Sequence, residues 1–113
     1  MKAKEIRVFS TGATRDTDEN KLDYEGFLSP LVIKRFAEYM QENRKQSDGS
    51  MRDSDNWQKG IPITVYMKSM FRHFMEAWAS YREGDMKKTE VALCALMFNV
   101  QGFLHELIKN KKE

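Results

Sequence analysis

The sequence predicts an all-α fold, a small bundle of three main helices with long polar loops and a short N-terminal extended segment. Two segments carry apolar residues at spacings of three and four, the period of a helix with one buried side. A third segment, Val91 to Phe98, is apolar almost all round, so we expect it to be the central helix. A chain of 113 residues is one domain with little mass to cover these helices, so we expect oligomerisation to complete the bundle.

The N-terminal region, residues 1–28, is expected to hold one extended segment and then a loop. Residues 5–10 contain Ile, Val and Phe, and a lone strand has to pair with another copy or lie on the helices. Residues 11–28 are rich in Thr, Gly, Asp, Glu and Asn without any period, which predicts a long loop. The helical core is then 29–109 of a single domain, 1–113.

The first helix is predicted from about Pro30 to Lys45, because Ser29 offers an N-cap and proline suits the first helical position. The following segment, 46–59, is polar and rich in turn residues. Trp57 is its one large apolar side chain, and we expect the indole to pin this loop.

The second helix is predicted to begin after Gly60-Ile61-Pro62 and to end at Gly84, which suits a C-terminal cap. Its apolar face is expected to be core and consists of Tyr66, Met67, Met70, Phe71, Phe74, Trp78 and Tyr81. Its polar face centres on Arg72 and His73 and is either a solvated surface or the wall of a polar site.

Asp85 is predicted to cap the third helix, which we expect from about Met86 to Lys109. One of its faces carries small or polar residues that let another helix approach closely: Ala92, Ala95, Asn99 and Gly102. Asn99 is then a buried amide that needs hydrogen-bond partners. The opposite face carries Glu90, Cys94, Met97 and Gln101, and two packing faces in so short a protein imply that one of them meets a second subunit.

Composition narrows the classes of function. Lys and Arg number 19 against 17 Asp and Glu, and the net charge of +2 disfavours a nucleic-acid partner. No run reaches the roughly 18 apolar residues of a membrane span. No secretory signal is visible either, so we expect a cytoplasmic protein without a membrane partner. The single cysteine, Cys94, allows no intrachain disulfide and is expected to be a small buried hydrophobe.

Two cationic groups could hold phosphate, and each also has an ordinary structural explanation. Arg72 and His73, with Lys68 one turn earlier, suit phosphate oxygens, or they form an exposed helical face. The loop around Gly12, with Arg15 and Lys21 as its charges, suits an anion, or it is a solvated connection.

Carboxylates near the end of the second helix and the start of the third could converge on magnesium, and they are Glu76, Glu83, Asp85 and Glu90. However, Asp85 is also a good helix cap, and Glu90 favours a first turn. Spacing alone therefore does not specify a metal.

Many of these residues recur in the order of a known family. The series is Gly12, Arg15, Lys21 to Tyr24, Asn56 to Gly60, Arg72, His73, Trp78, Gly84, Glu90, Ala92, Cys94 and Asn99. It resembles a family of small, mostly bacteriophage proteins named for the N-terminal domain of dATP/dGTP diphosphohydrolase. The resemblance implies a fold similar to the MazG-type nucleotide pyrophosphohydrolases, which assemble as oligomers and cleave a nucleoside triphosphate to monophosphate and pyrophosphate with magnesium.

The resemblance also implies roles for individual residues, with Trp57 stacking on a base or walling the pocket. The implied substrate-binding residues are Arg15, Lys21, Asp23, Asn56, Trp57, Lys59, Arg72, His73 and Asn99. Glu76 and Glu90 are the implied catalytic and metal-binding acids, with Asp85 as a further metal candidate. The Glu-Glu-x-x-Glu and Glu-x-x-Asp motifs of MazG-type enzymes do not occur in this sequence.

Three functions follow as hypotheses. The first is a purine (deoxy)nucleotide-binding phage protein of an infected cell's cytoplasm that acts as a dNTP pyrophosphohydrolase. The second is a non-hydrolysing protein that sequesters a nucleotide, for example a signalling one, inside an oligomer. The third is a helical module that holds another protein.

Overall fold

The computed structural model describes residues 5–17 and 19–111, and most of these residues are helical. The elements are strands β1 (Ile6–Val8) and β2 (Thr14–Asp16), helices α1 (Tyr24–Phe27) and α2 (Pro30–Glu42), a 3₁₀ helix (Asn56–Lys59), and helices α3 (Ile63–Glu83) and α4 (Met86–Lys109). The predicted class and its three long helices, α2, α3 and α4, are confirmed.

α3 and α4 form an antiparallel hairpin with a two-residue reversal. Gly84 adopts a left-handed conformation (φ 79°) that only glycine enters without strain, and its N–H bonds to the last turn of α3. Asp85 then caps α4, its side chain accepting a hydrogen bond from the Lys88 N–H at 3.1 Å. The predicted end of α3 and the predicted start of α4 are therefore confirmed.

The seam between α3 and α4 is lined by buried residues that are small or polar: Ala77 and Ser80 on α3, and Ala92, Ala95, Asn99 and Gly102 on α4. The Ser80 and Thr89 hydroxyls hydrogen-bond across it at 2.8 Å. Tyr66, with 1% of its surface exposed, lies directly on Gly102, which has no side chain to obstruct the ring. The predicted close approach on the small face of α4 is confirmed.

The predicted core face of α3 is largely wrong. Tyr66 is buried and Met70 is half-buried, but Met67, Phe71, Phe74, Trp78 and Tyr81 are 42% to 66% exposed. The reason is that α4 meets α3 along Ala77 and Ser80, because small side chains on both helices allow the shortest distance between the two axes. The larger residues are rotated away from this seam.

α2 packs on α4 through the Arg35–Glu90 ion pair, in which Arg35 Nε donates to Glu90 Oε1. Ser29 caps its start, as predicted, by accepting a hydrogen bond from the Val32 N–H. α2 ends at Glu42, three residues earlier than predicted, because the Asn43 side chain donates to the Tyr39 carbonyl and closes the helix.

The N-terminal region has more structure than predicted. β1 pairs with β2 in antiparallel register within the same chain, so the expectation that it pairs with another copy or lies on the helices was wrong. Gly12, at φ 90°, permits the turn between them. β2 and α1 each have only three or four residues, too few to show a period, which is why residues 11–28 were predicted as one loop.

By length and composition alone, α4 could cross a membrane, with a mean hydropathy of 1.5 over an 18-residue stretch. One third of that stretch (33%) is buried inside the fold. The core helices of soluble proteins meet the same criteria, so a single helix of this kind is weak evidence of a membrane span.

Substituting Gly102 with alanine tests the seam. A methyl group at this position would overlap the Tyr66 ring, so we expect Gly102→Ala to destabilise the protein by about 1–3 kcal/mol. An exposed helical glycine would instead gain about 1 kcal/mol from the same change. Urea unfolding of this variant and of the neighbouring surface variant Gln101→Ala measures the effect, and a Gly102→Ala variant as stable as the wild type would contradict the close approach.

Cys94 tests the burial of the other side of α4. The residue is 5% exposed, and burial raises the pKa of its thiol, so the reactive thiolate is scarce at neutral pH. We expect native Cys94 to react with iodoacetamide at least about 10-fold more slowly than a thiol at the exposed position Ser47, introduced as Ser47→Cys with Cys94→Ser. Mass spectrometry measures both rates, and equal rates would show that the α2–α4 contact opens freely.

Candidate functional site

A cavity of about 540 Å³ lies where α2, the segment 43–57, α3 and α4 meet. Its walls combine apolar side chains, such as Met40, Ile61 and Phe98, with a set of polar and charged ones. This mixture is typical of small-molecule sites, in which a mostly apolar pocket carries a few orienting polar groups.

A β-hairpin-like segment after α2 brings two arginines together at the cavity. The Arg52 N–H donates to the Arg44 carbonyl at 2.8 Å, and Lys45 and Met51 form a β-bridge beside them. The tight turn between the arginines contains Gly49 at φ 89°. Arg44 and Arg52 therefore lie opposite each other on this ladder, and both residues line the cavity.

Asp48 stabilises this turn. Its Oδ1 accepts hydrogen bonds from the Ser50 N–H at 2.9 Å and from the Ser50 hydroxyl at 2.6 Å. These bonds favour the charged carboxylate and lower the pKa of Asp48 below its usual value. The turn is thus held by the Asp48 carboxylate, which lies midway in sequence between Arg44 and Arg52.

Both guanidinium groups are oriented by backbone carbonyls. Arg44 Nε donates to the Arg52 carbonyl at 2.8 Å, and Arg52 Nη2 donates to the Asn43 carbonyl at 3.1 Å. Arg44 Nη2 and Arg52 Nη1 have no hydrogen-bond partner among the residues that the structure describes. Asp53 is the one acidic residue that lines the cavity, whereas Arg44 and Arg52 are both basic. The net charge of the cavity wall is therefore positive.

Trp57, on the 3₁₀ helix, forms part of the cavity wall and is half-buried. Its ring packs edge-on against His105 of α4, with 4.8 Å between ring centroids and 74° between planes. This contact holds the loop against α4 in the way predicted for the indole. Asn56 lies beside it and also lines the cavity.

α2, α3 and α4 each supply a hydrogen-bonding residue to the cavity: Tyr39, His73 and Asn99. His73 Nδ1 lies 3.0 Å from Glu76 Oε2, so when Nδ1 carries the proton the imidazole Nε2 is an acceptor. Asn99 donates its amide N–H to the Ala95 carbonyl at 2.8 Å, which leaves its amide oxygen as an acceptor. Burial raises the pKa of Tyr39, so its hydroxyl remains a proton donor at neutral pH.

The structure brings four of the nine predicted binding residues together at this cavity: Asn56, Trp57, His73 and Asn99. Lys59 and Arg72 are near it in sequence but do not line it, and Arg72 Nη2 donates to Ser69 Oγ at 2.9 Å. The other three lie in the N-terminal region: Arg15 on β2, Lys21 before α1, and Asp23 as the cap of α1.

The three predicted metal-binding acids have separate partners. Glu76 contacts His73, Glu90 pairs with Arg35, and Asp85 caps α4. Across residues 5–17 and 19–111, no group of three or more His, Cys, Asp and Glu side chains is placed to hold a metal ion. The acids do not form one donor set, so their magnesium-binding role stays a prediction and no catalytic step is assigned to the metal.

Sequence reasoning missed Arg44, Arg52 and Tyr39. A signal for the arginines was present, because Asp48-Gly49 is a dipeptide that favours a tight hairpin turn. In the structure Lys45 lies opposite Met51 and the next pair outward is Arg44 and Arg52, a register that the dipeptide alone does not specify. No sequence motif marked Tyr39, because a tyrosine at its position on α2 is also expected where two helices simply pack together.

Comparisons with protein-family models, with curated proteins and with solved structures find no match to this chain. The resemblance to the phage dATP/dGTP diphosphohydrolase N-terminal family therefore stays a prediction from the motifs.

A double-mutant cycle tests whether Glu90 acts through Arg35. We expect Glu90→Gln and Arg35→Ala to destabilise the protein by similar amounts, and the double variant to lose less stability than the sum of the two single variants. Urea unfolding of both single variants and the double variant gives this difference. Additive effects would contradict the ion pair, and a loss of magnesium affinity in Glu90→Gln alone would restore the predicted metal role.

Proposed function

We propose that the protein binds a nucleotide in this cavity, with the phosphates on Arg44 and Arg52 and the base against Trp57. The observation that carries the proposal is that two arginines, a tryptophan and two asparagines line one cavity of about 540 Å³. A volume of this size lies within the range of roughly 300–1,000 Å³ common for small-ligand sites.

The proposed position of the phosphates is supported by Arg44 and Arg52, which lie opposite each other on the hairpin-like segment. Guanidinium groups bind phosphate oxygens through paired N–H donors, and these two are already oriented by backbone carbonyls, so little side-chain freedom is lost on binding. The turn that carries them is closed by hydrogen bonds to Asp48. The positive charge of this wall favours a polyanionic ligand.

The base end is supported by Trp57 and the two amides. An indole offers a flat surface on which a base can stack, for about 1–3 kcal/mol by analogy with single-stranded nucleic-acid sites. Asn56 and Asn99 carry both donors and acceptors, which can read the edge of a base. A purine nucleotide uses more of this surface than a pyrimidine nucleotide does.

We further propose that the bound nucleotide is a deoxynucleoside triphosphate and that the reaction is its hydrolysis to monophosphate and pyrophosphate. Water would attack the α-phosphorus as His73 accepts its proton, the bond from that phosphorus to the α–β bridging oxygen would break, and pyrophosphate would leave. Glu76 would orient the imidazole and stabilise its protonated form. Arg44 and Arg52 would stabilise the charge that develops on the phosphates.

A second candidate is a nucleotide binder without hydrolysis. Its support is that Glu90 and Asp85, two of the three predicted metal-binding acids, are engaged in an ion pair and a helix cap. Both candidates use the same phosphate and base contacts and differ only in the fate of the ligand.

We also propose that the binding unit is an oligomer. The chain exposes 9707 Å², whereas a folded monomer of this mass exposes about 6,500 Å². Its radius of gyration of 19.7 Å likewise exceeds the roughly 13 Å of a compact domain of this length. Association with other copies is the ordinary way for a small chain to cover this excess.

Calorimetric titration with dATP, dGTP and their ribose counterparts, with and without magnesium, tests the binding site. We expect Arg44→Ala and Arg52→Ala each to weaken affinity by about 10- to 100-fold, because a charge-assisted hydrogen bond contributes about 1.5–3 kcal/mol. Arg82→Ala is the matched control, since Arg82 lies in the last turn of α3 and does not line the cavity, and it should leave affinity unchanged.

Two further results separate the candidates. Release of pyrophosphate that is lost in His73→Ala supports hydrolysis, whereas recovery of intact nucleotide after denaturation supports sequestration. A loss of affinity in Arg72→Ala but not in Arg44→Ala would move the phosphate site to the exposed face of α3. If no nucleotide raises the melting temperature, the proposed function is wrong and a protein-binding module takes its place.

A further inference from the structure

The α3–α4 hairpin has an exposed apolar face on the side away from α2. It consists of Met67, Phe71, Phe74, Trp78 and Tyr81 on α3, and of Leu93, Met97, Val100, Leu104 and Leu107 on α4, all 38% to 66% exposed. At about 100° per residue, both sets are rotated in the same sense from the seam, so they share one side of the hairpin. We call these ten residues the hairpin face.

The spacing within the hairpin face is that of a helix-packing seam. On each helix the five residues follow one another at intervals of four, three, four and three, an average of 3.5 residues. This period keeps a stripe of side chains facing a partner helix along its whole length. None of the ten residues is charged.

The size of the hairpin face matches what a stable dimer needs. Ten half-exposed large side chains leave roughly 1,000 Å² of apolar surface, whereas the largest patch on a monomer is commonly about 300–600 Å². A standard interface buries about 800 Å² on each partner. One such contact also removes about a quarter of the surface by which the chain exceeds a compact monomer of its mass.

The two stripes are complementary to each other. Four of the five residues on α3 are aromatic, and all five on α4 are aliphatic or methionine. A two-fold axis through the hairpin face can lay α3 of one copy over α4 of the other, so that aromatic rings pack between the narrower side chains. A second copy of the chain therefore supplies a partner of the right period, length and shape.

We propose that two copies of this chain pack their hairpin faces together about a two-fold axis, forming a four-helix bundle from α3 and α4 of each copy. The bundle has four helices in contact, the common stable arrangement for helices of this length. The two nucleotide cavities lie on the outer sides of the bundle, next to α2. This proposal names the interface and the symmetry of the oligomer. It does not depend on nucleotide binding, because the dimer can form without a nucleotide.

Light scattering after size exclusion, at 1 to 100 µM protein, gives the first measurement. We expect a species of twice the 13.3 kDa chain mass. Phe74→Glu with Val100→Glu places like charges in the middle of the contact and should weaken dimerisation by about 100-fold or more. Leu31→Glu with Val65→Glu is the matched control, because both residues are exposed and apolar but lie outside the hairpin face.

Circular dichroism shows whether the charged variant still folds. A helical monomer supports the proposal, whereas a dimer that persists in this variant overturns it. A wild-type protein that is monomeric at 100 µM also overturns it. If the variant unfolds, the wild-type surface is measured directly through Trp78.

Trp78 reports on the hairpin face in a Trp57→Phe background, where it is the one remaining tryptophan. We expect acrylamide quenching of Trp78 to increase on dilution, as the dimer dissociates and exposes the indole. The converse variant, Trp78→Phe, retains Trp57 at the cavity and should show no such concentration dependence. Equal quenching of Trp78 at all concentrations across a measured dimer–monomer transition would contradict the assignment.

Two controls separate this proposal from other outcomes. Arg44→Ala and Arg52→Ala should remain dimeric, so a failure of nucleotide binding leaves the dimer unaffected. Flotation of the wild type with phosphatidylcholine and phosphatidylglycerol vesicles would instead assign the hairpin face to a lipid surface and overturn the proposal.

Discussion

The close approach of α3 and α4 is the constraint on which the rest of the fold depends. Small residues on both helices, with Tyr66 lying on Gly102, allow the two axes to come close along a narrow seam. The contact has a cost, because the Tyr66 hydroxyl and Glu106 Oε1 are buried without a hydrogen-bond partner among the described residues. Each such group costs about 1–3 kcal/mol.

A seam of small residues also decides where the large ones lie. Alanine, serine and glycine bury little apolar area, so the seam alone stabilises the hairpin weakly. The large side chains of α3 and α4 then have two sides available. On one side, α2 and the loop after it cover Phe98 and enclose the cavity. On the other side, the hairpin face is left exposed by residues 5–17 and 19–111, and a second copy would provide the missing burial in the dimer that we propose.

The sequence predicted the helices well and the site only in part. Glycine at 84 and aspartate at 85 are local signals, because a left-handed cap and an N-cap depend on the residue itself, and both boundaries followed from them. The face on which Phe71 and Phe74 lie could not be predicted the same way. Periodicity shows that a helix has an apolar side, but which side packs against its own chain depends on the shape of the partner helix.

The candidate site illustrates the same limit. Trp57 and Asn56 were identified because they stand out within a polar loop, and His73 because it belongs to a polar arc on α3. Arg44 and Arg52 were missed, although Asp48-Gly49 predicts the turn between them. Their role depends on the register of the ladder and on the distance from that ladder to α3, and the sequence specifies neither quantity.

His73 and Phe74 connect the two faces of the hairpin. His73 lines the cavity, and the next residue, Phe74, belongs to the hairpin face on another side of the same helix. In the dimer that we propose, a ligand that rotates or shifts α3 at His73 would therefore also move Phe74 against the partner copy. Thermodynamic linkage then requires that any factor by which nucleotide strengthens dimerisation equals the factor by which dimerisation strengthens nucleotide binding. Such coupling can pass through α3, a continuous helix from Ile63 to Glu83, and equally through α4, where Asn99 lines the cavity and Val100 belongs to the hairpin face.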